Sequence, residues 1–165
     1  MTANHLADLR TIIERLDSCG RLTRVTTEVD PKFDLAGIAA HFESKPRAVL
    51  FDKVKGYDVP VFTGLYWSRE LLAQLMDQEE ATLPSFVSGC IQNWQKNPVP
   101  PVMVDHGPIL DGGHHPLDLS TLPIPIHAIK DGGPYFDAAV VIARDPETGV
   151  RNASIQRFMV VDKDT

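Results

Sequence analysis

Leu9, Ile12, Ile13 and Leu16 fall three or four residues apart, the spacing of one helix face. They predict an amphipathic helix over 7–19 that stops at Gly20. Residues 22–29, LTRVTTEV, alternate instead and read as a strand, which Asp30-Pro31 breaks. Asp34 is placed to cap a second helix carrying Leu35, Ile38, Ala39 and Phe42, which must end before Pro46. The run AVLFDKV within 47–54 predicts a strand, Gly56 a turn, and 59–65 a further strand. Ser68 can cap a helix from 69 to 76 that turns Leu71, Leu72 and Leu75 inward, and another helix is expected from Leu83 or Pro84 to Lys96.

This alternation gives an α+β fold class, with an N-terminal α/β layer domain over 1–100 whose helices pack on a sheet. Its Leu, Ile, Val and Phe side chains are expected in the core. Trp67 and Trp94 are expected to pack as amphipathic core or interface residues rather than to line a pocket. Asn97-Pro98-Val99-Pro100-Pro101 cannot continue a helix, because proline lacks the amide donor and its ring clashes with the preceding turn. Prolines 108, 116, 123 and 125 and glycines 107, 112 and 113 then predict an extended strap over 101–130 that crosses between two domains, with no helix longer than two turns. The second domain, 101–165, comprises that strap and a hairpin. Its strands, over 135–143 and 150–162, flank the turn Arg144-Asp145-Pro146-Glu147-Thr148-Gly149.

Charge and composition narrow the function classes. The chain has 165 residues, 43% of them apolar, which fits a folded globular protein. A formal charge of −6 disfavours a nucleic-acid surface, since phosphate binding needs a basic patch. No apolar run approaches the roughly 20 residues of a membrane span, and the N-terminus shows no apolar signal region. Cys19 and Cys90 lack metal-type spacing and are expected to be reduced thiols of a cytoplasmic protein.

His106, His114, His115 and His127 share the strap with Asp105, Asp111 and Asp118, but their spacing matches no zinc pattern. His114 and His115 are adjacent, so in extended chain they point to opposite sides and cannot both hold one ion. Surface turn chemistry is the better reading of these residues. Asp131-Gly132-Gly133-Pro134 lacks both the glycine spacing and the following helix of a phosphate-binding loop, and by itself is a turn.

The second hairpin strand is different. Asn152-Ala153-Ser154-Ile155-Gln156-Arg157 sets two amides, a hydroxyl and a guanidinium among apolar residues. Either one face of that strand is wet or the strand lines a site. Arginine offers a planar fork of donors that matches a carboxylate, and asparagine offers a neutral oxygen to a metal ion. On residue chemistry alone, Arg157 is more often a salt-bridging strand residue. Residues five apart also lie on opposite faces of a regular strand. A site shared by Asn152 and Arg157 therefore predicts a bulge or bend between Asn152 and Gln156, or a ligand that wraps the strand's end.

Leu122-Pro123-Ile124-Pro125, Asp131-Gly132-Gly133-Pro134-Tyr135, Arg144-Asp145-Pro146 and residues 152–157 together resemble the UbiD family of decarboxylases. Weaker likeness includes Asp8-Leu9-Arg10 and residues 51–56. The resemblance covers nearly all of this chain and only the first part of the family's longer chains. It implies that the hairpin opens a split β-barrel, and that the activity is reversible, non-oxidative decarboxylation of an aromatic or α,β-unsaturated carboxylic acid. The implied cofactors are prenylated FMN and Mn2+, with K+ as a candidate companion ion. By the same resemblance Asn152 is a metal ligand on the flavin phosphate. Ser154, Ile155, Gln156 and Arg157 contact the flavin, and Arg157 is catalytic and faces the substrate acid.

The family's remaining metal ligands, later basic residues and proton-donating acid map beyond Thr165, so this stretch alone is expected to be inactive. A hairpin without further strands leaves an open edge and an apolar face, which favour a homo-oligomer or a missing C-terminal half. Three expectations follow: a piece of a decarboxylase, a natural half of a split enzyme, or a non-catalytic subunit or interaction module that pairs with a separate chain.

Overall fold

The computed structural model describes residues 8–112 and 116–165; His114 and His115, weighed above as metal ligands, lie outside them. The chain forms two compact units that interleave in sequence. One takes in residues up to 23, then 44–48 and 64–116, and the other 24–43, 49–63 and 117–165. Helices and small sheets make the chain α+β, as the apolar pattern predicts.

In the first unit, helix α1 (Leu9–Ser18) opens with a capping box. The Asp8 carboxylate accepts from the Thr11 amide at 2.8 Å, while the Thr11 hydroxyl accepts from the Asp8 amide at 3.3 Å. Two otherwise orphaned amide donors are thereby satisfied. Helix α3 (Arg69–Leu75) starts at Ser68, whose side chain accepts from the Leu71 amide, as expected from the sequence. Leu16, Leu71, Ala73 and Leu75 are buried. Arg15 on α1 pairs with Asp77, and Arg21 reaches Glu70 at 2.6 Å and Gln74 at 3.0 Å. These polar contacts lie at the rim, where exposed pairs contribute about 0–1 kcal/mol, so the buried leucines hold α1 to α3. Trp67 packs on Gly64, consistent with a packing role.

Helix α4 (Leu83–Lys96) forms where expected but corrects the core assignment. Only Leu83 is buried; Phe86, Val87 and Ile91 are exposed, and Trp94 is 60% exposed. Periodicity shows that a face is apolar, not that it is covered.

The sheet of β1 (Leu22–Val25), β2 (Ala48–Phe51) and β3 (Val61–Thr63) runs in that order, with β2 antiparallel to β3. Every residue of β2 is buried, so it reads as an unbroken apolar run rather than an alternation. The strands are shorter than the sequence predicts. Beyond β1 the chain makes only an isolated bridge, Val29 to Val54.

In the second unit, helix α2 (Asp34–Phe42) corrects its expected cap. Phe33, at φ 76°, occupies the N-cap position without a side-chain hydrogen bond, and Asp34 lies inside the first turn. The Phe33 amide is engaged elsewhere, donating to the Ile126 carbonyl at 3.0 Å, and the Ile126 amide donates to Pro31. Strap residue 126 thus pairs as a short parallel bridge with Lys32. This tertiary hydrogen bonding outweighs the cost of left-handed backbone at a phenylalanine.

The strap is irregular as expected. Among the described residues it holds only a single turn of helix α5 (Pro108–Asp111) and a 3-10 turn at Leu119–Thr121. It leads into the hairpin of β4 (Tyr135–Arg144) and β5 (Arg151–Met159). Asp145 closes the hairpin turn by accepting from the Glu147 and Thr148 amides at 2.8 and 2.7 Å. Gly149 supplies the positive φ of 70° that the return requires.

Candidate active site

The register of β4 against β5 decides where the polar residues of β5 point. Pairing is regular from Arg144↔Arg151 through Ala143↔Asn152 to Ala139↔Gln156, and the single irregularity falls between Phe136 and Ala139. The expected break between Asn152 and Gln156 is therefore not there. The bulge sits on the opposite strand, where Asp137 and Ala138 together face Arg157. Strand β5 alternates without interruption, and its residues divide between two faces.

Asn152, Ser154 and Gln156 share one face. The Gln156 amide donating to the Ser154 hydroxyl at 3.3 Å marks it. Ala153, Ile155 and Arg157 share the other, across from Ile142, Val140 and the bulge. The structure thus groups Ser154 and Gln156 with Asn152, and Ile155 with Arg157. Asn152 and Arg157 stand roughly 17 Å apart along the strand, at about 3.3 Å per residue, and are not brought together. What joins the two faces is the outer edge of β5, which pairs with nothing in its two-stranded sheet. The Asp145 amide donates to the Val150 carbonyl. In a ladder where bonded and non-bonded pairs alternate, that places the backbone groups of Ala153 and Ile155 on the open edge.

The Arg157 face is apolar and exposed. Val140, Ile142 and Ile155 are 64%, 72% and 73% exposed. Arg157 stands at the end of this strip with its guanidinium 5.5 Å from the Tyr135 ring centroid, within range for a cation–π contact. Among the described residues it has no hydrogen bond or ion pair, contrary to the salt-bridge reading. A cleft of about 350 Å3 lies beside it, lined by His127, Ala128, Asp131, Tyr135, Asp137 and Arg157.

Each carboxylate of that cleft is already engaged. Asp131 accepts from the Ala128 amide at 2.9 Å, and Asp137 pairs with His127 Nε2 at 2.7 Å. The His127–Asp137 pair was missed in the sequence. Tyr135 and Asp137 share a face by simple alternation, but only the fold brings His127 to them from the strap. The other strap histidine in view, His106, lies 3.8 Å from Asp111. No group of three His, Cys, Asp or Glu among the described residues could hold a metal ion. Cys19 and Cys90 are free and exposed, and no helix among the described residues is long and apolar enough to cross a membrane.

Comparison with known proteins supplies the frame for this geometry. Residues 13–88 match the 3-octaprenyl-4-hydroxybenzoate carboxy-lyase N-terminal domain, and residues 103–165 match the Rift-related domain of the same carboxy-lyase. An uncharacterized Rhodospirillum rubrum protein encoded in the cooM 5′ region is 65% identical over 159 residues, 96% of this chain and 34% of that protein. The anhydromevalonate phosphate decarboxylase of Methanothermobacter thermautotrophicus is 39% identical, over 85% of this chain and 31% of the enzyme. Among solved structures, an evolved dimeric form of the UbiD-class enzyme HmfF from Pelotomaculum thermopropionicum, in complex with prFMN, superposes with a TM-score of 0.81. It is 39% identical, over 94% of this chain and 36% of HmfF. The chain spans about a third of the length of these relatives. Both domain matches and the superposition agree with the hairpin and strap motifs, and the chain belongs to the UbiD family of carboxy-lyases.

Proposed function

We propose that this sequence supplies the acid-binding face of a UbiD-type decarboxylase. The reaction is non-oxidative and reversible, and the substrate is an aromatic or α,β-unsaturated carboxylic acid. The observation that carries the reading is the Arg157 guanidinium, stacked on Tyr135 at the end of an exposed apolar strip and without a carboxylate partner among the described residues. A planar acid laid on Val140, Ile142 and Ile155 would direct its carboxylate at that fork. Arginine stays charged at any working pH and binds both carboxylate oxygens.

The donor set also suits prenylated FMN. Ile155 lies on the apolar face, Ser154 and Gln156 offer polar groups on the other, and the open edge of β5 lets one ligand reach both. When bound, the flavin supplies the electron-accepting ring system that amino-acid side chains lack. Asn152 presents a neutral amide oxygen to a divalent ion, here Mn2+ with K+ as companion. One amide does not make a metal site, so Asn152 would be one ligand in a set shared with the flavin phosphate and the family's remaining metal ligands. Arg157 orients the acid and stabilises its charge, and the apolar strip excludes water from its ring.

The test uses a protein of the relatives' full length that carries this sequence, reading flavin absorbance per protomer beside the decarboxylation rate. Arg157→Ala is expected to keep flavin and lose turnover. The missing charge-assisted contact, about 1.5–3 kcal/mol, corresponds to roughly a 10–150-fold loss of affinity for the acid. Arg157→Lys should rescue it poorly, since a point charge cannot reproduce the fork. Asn152→Ala should weaken retention of metal and flavin, with activity partly restored by an excess of both. Flavin loss in Arg157→Ala with full occupancy in Asn152→Ala would exchange the roles, and normal turnover in both would reduce the motif to a polar strand face.

A second reading, an interaction module that pairs with a separate chain, is favoured by the same exposed strip. Ile142→Asp should then abolish association in light scattering.

A further inference from the structure

The Arg157 cleft holds two carboxylates, yet neither neutralises the guanidinium. Asp137 sits in the bulge directly across from Arg157. Cross-strand neighbours have Cβ atoms about 4.5–5.5 Å apart, so a free Asp137 would be within reach of Arg157. It is instead held by His127 Nε2 at 2.7 Å, while Asp131 is tied to the Ala128 amide. The bulge contributes as well. It gives Asp137 and Ala138 the place of one residue, so Asp137 is not locked into a regular pair with Arg157.

We propose that His127 is a positioning residue that sequesters Asp137 and so keeps the Arg157 guanidinium open to an incoming carboxylate. His127 does not touch the acid in this scheme. It removes an internal competitor for the same fork of donors. The inference rests on the reading that Arg157 binds the acid, and the two are separable by experiment. Removing His127 frees Asp137, which then pairs with Arg157. Both side chains are partly exposed, so that pair competes modestly, on the scale of a surface ion pair.

The probe is sodium benzoate, titrated into the 15N-labelled full chain while the backbone amides of Tyr135, Arg157 and Phe158 are followed. His127→Ala should raise the apparent Kd for benzoate about two- to fivefold, the equivalent of a competing exposed ion pair. His127→Ala combined with Asp137→Asn should return it to the wild-type value, and Asp137→Asn alone should bind at least as well as wild type. A merely structural role for His127 predicts no such rescue. An unchanged Kd in His127→Ala, or a double variant that stays weak, would overturn the proposal. Arg157→Gln distinguishes failure of the premise: benzoate shifts that survive in it, or no response in the wild type, would refute acid binding at Arg157 itself.

Discussion

Gly64→Ala is expected to be among the most costly single-methyl additions in the first unit. Gly64 has φ +92°, a conformation that L side chains rarely adopt. A Cβ built there would stand 2.6 Å from Trp67 Cε3 and 2.7 Å from Cζ3, well inside van der Waals contact. Left-handed backbone costs about 1–2 kcal/mol. Forcing an indole aside adds an overpacking cost of about 1–3 kcal/mol. Gly20→Ala is the internal control, because Gly20 has φ +68° and nothing within 4 Å of its would-be Cβ. It should cost only the backbone part, about 1–2 kcal/mol. Urea unfolding followed by tryptophan fluorescence, with m compared across variants, gives both values. In a Trp67→Leu background the Gly64→Ala penalty should fall to that of Gly20→Ala. A Gly64→Ala penalty within about 0.5 kcal/mol of Gly20→Ala, near the limit of additivity, would refute the clash.

Two smaller perturbations follow from local hydrogen bonding. Ser68→Ala removes the acceptor for the Leu71 amide and should destabilise α3 by about 1 kcal/mol, read as a lower urea midpoint at constant m. The Thr148 amide, and then the Glu147 amide, hold the Asp145 carboxyl below its ordinary value of 3.8. Because the folded pKa is depressed, this stabilisation is complete above pH 3.8 and is lost as pH falls through the folded value. Protection factors of the β4–β5 hairpin amides, which remove the intrinsic pH dependence of exchange, should therefore fall on acidification below that point, and Asp145→Ala should remove that fall.

Short-range chemistry was legible in the sequence because its causes are local. The Ser68 cap needs only a hydroxyl three residues before an amide, and the α4 limits follow from Pro84 at its start and Asn97-Pro98 at its end. The turn at Asp145 to Gly149 likewise follows from a carboxylate and a residue free to take positive φ. The family motifs were legible for a related reason, being fixed residues at fixed spacing in one stretch of chain.

Three features were decided only by tertiary structure. Phe33 displaced Asp34 as the N-cap of α2 because its amide is committed to Ile126, more than ninety residues along. Helix α4 carries an apolar face that periodicity assigns to a core, but cover depends on what packs there. Strand β5 runs regularly through Asn152–Gln156, and the bulge needed near the site was placed on β4. Alternation along one strand fixes which residues share a face, but register against its partner fixes what they face. That register sets Asp137 opposite Arg157, and the strap then brings in His127 to hold it. No local pattern encodes the meeting of a histidine from the strap with a carboxylate from a bulge.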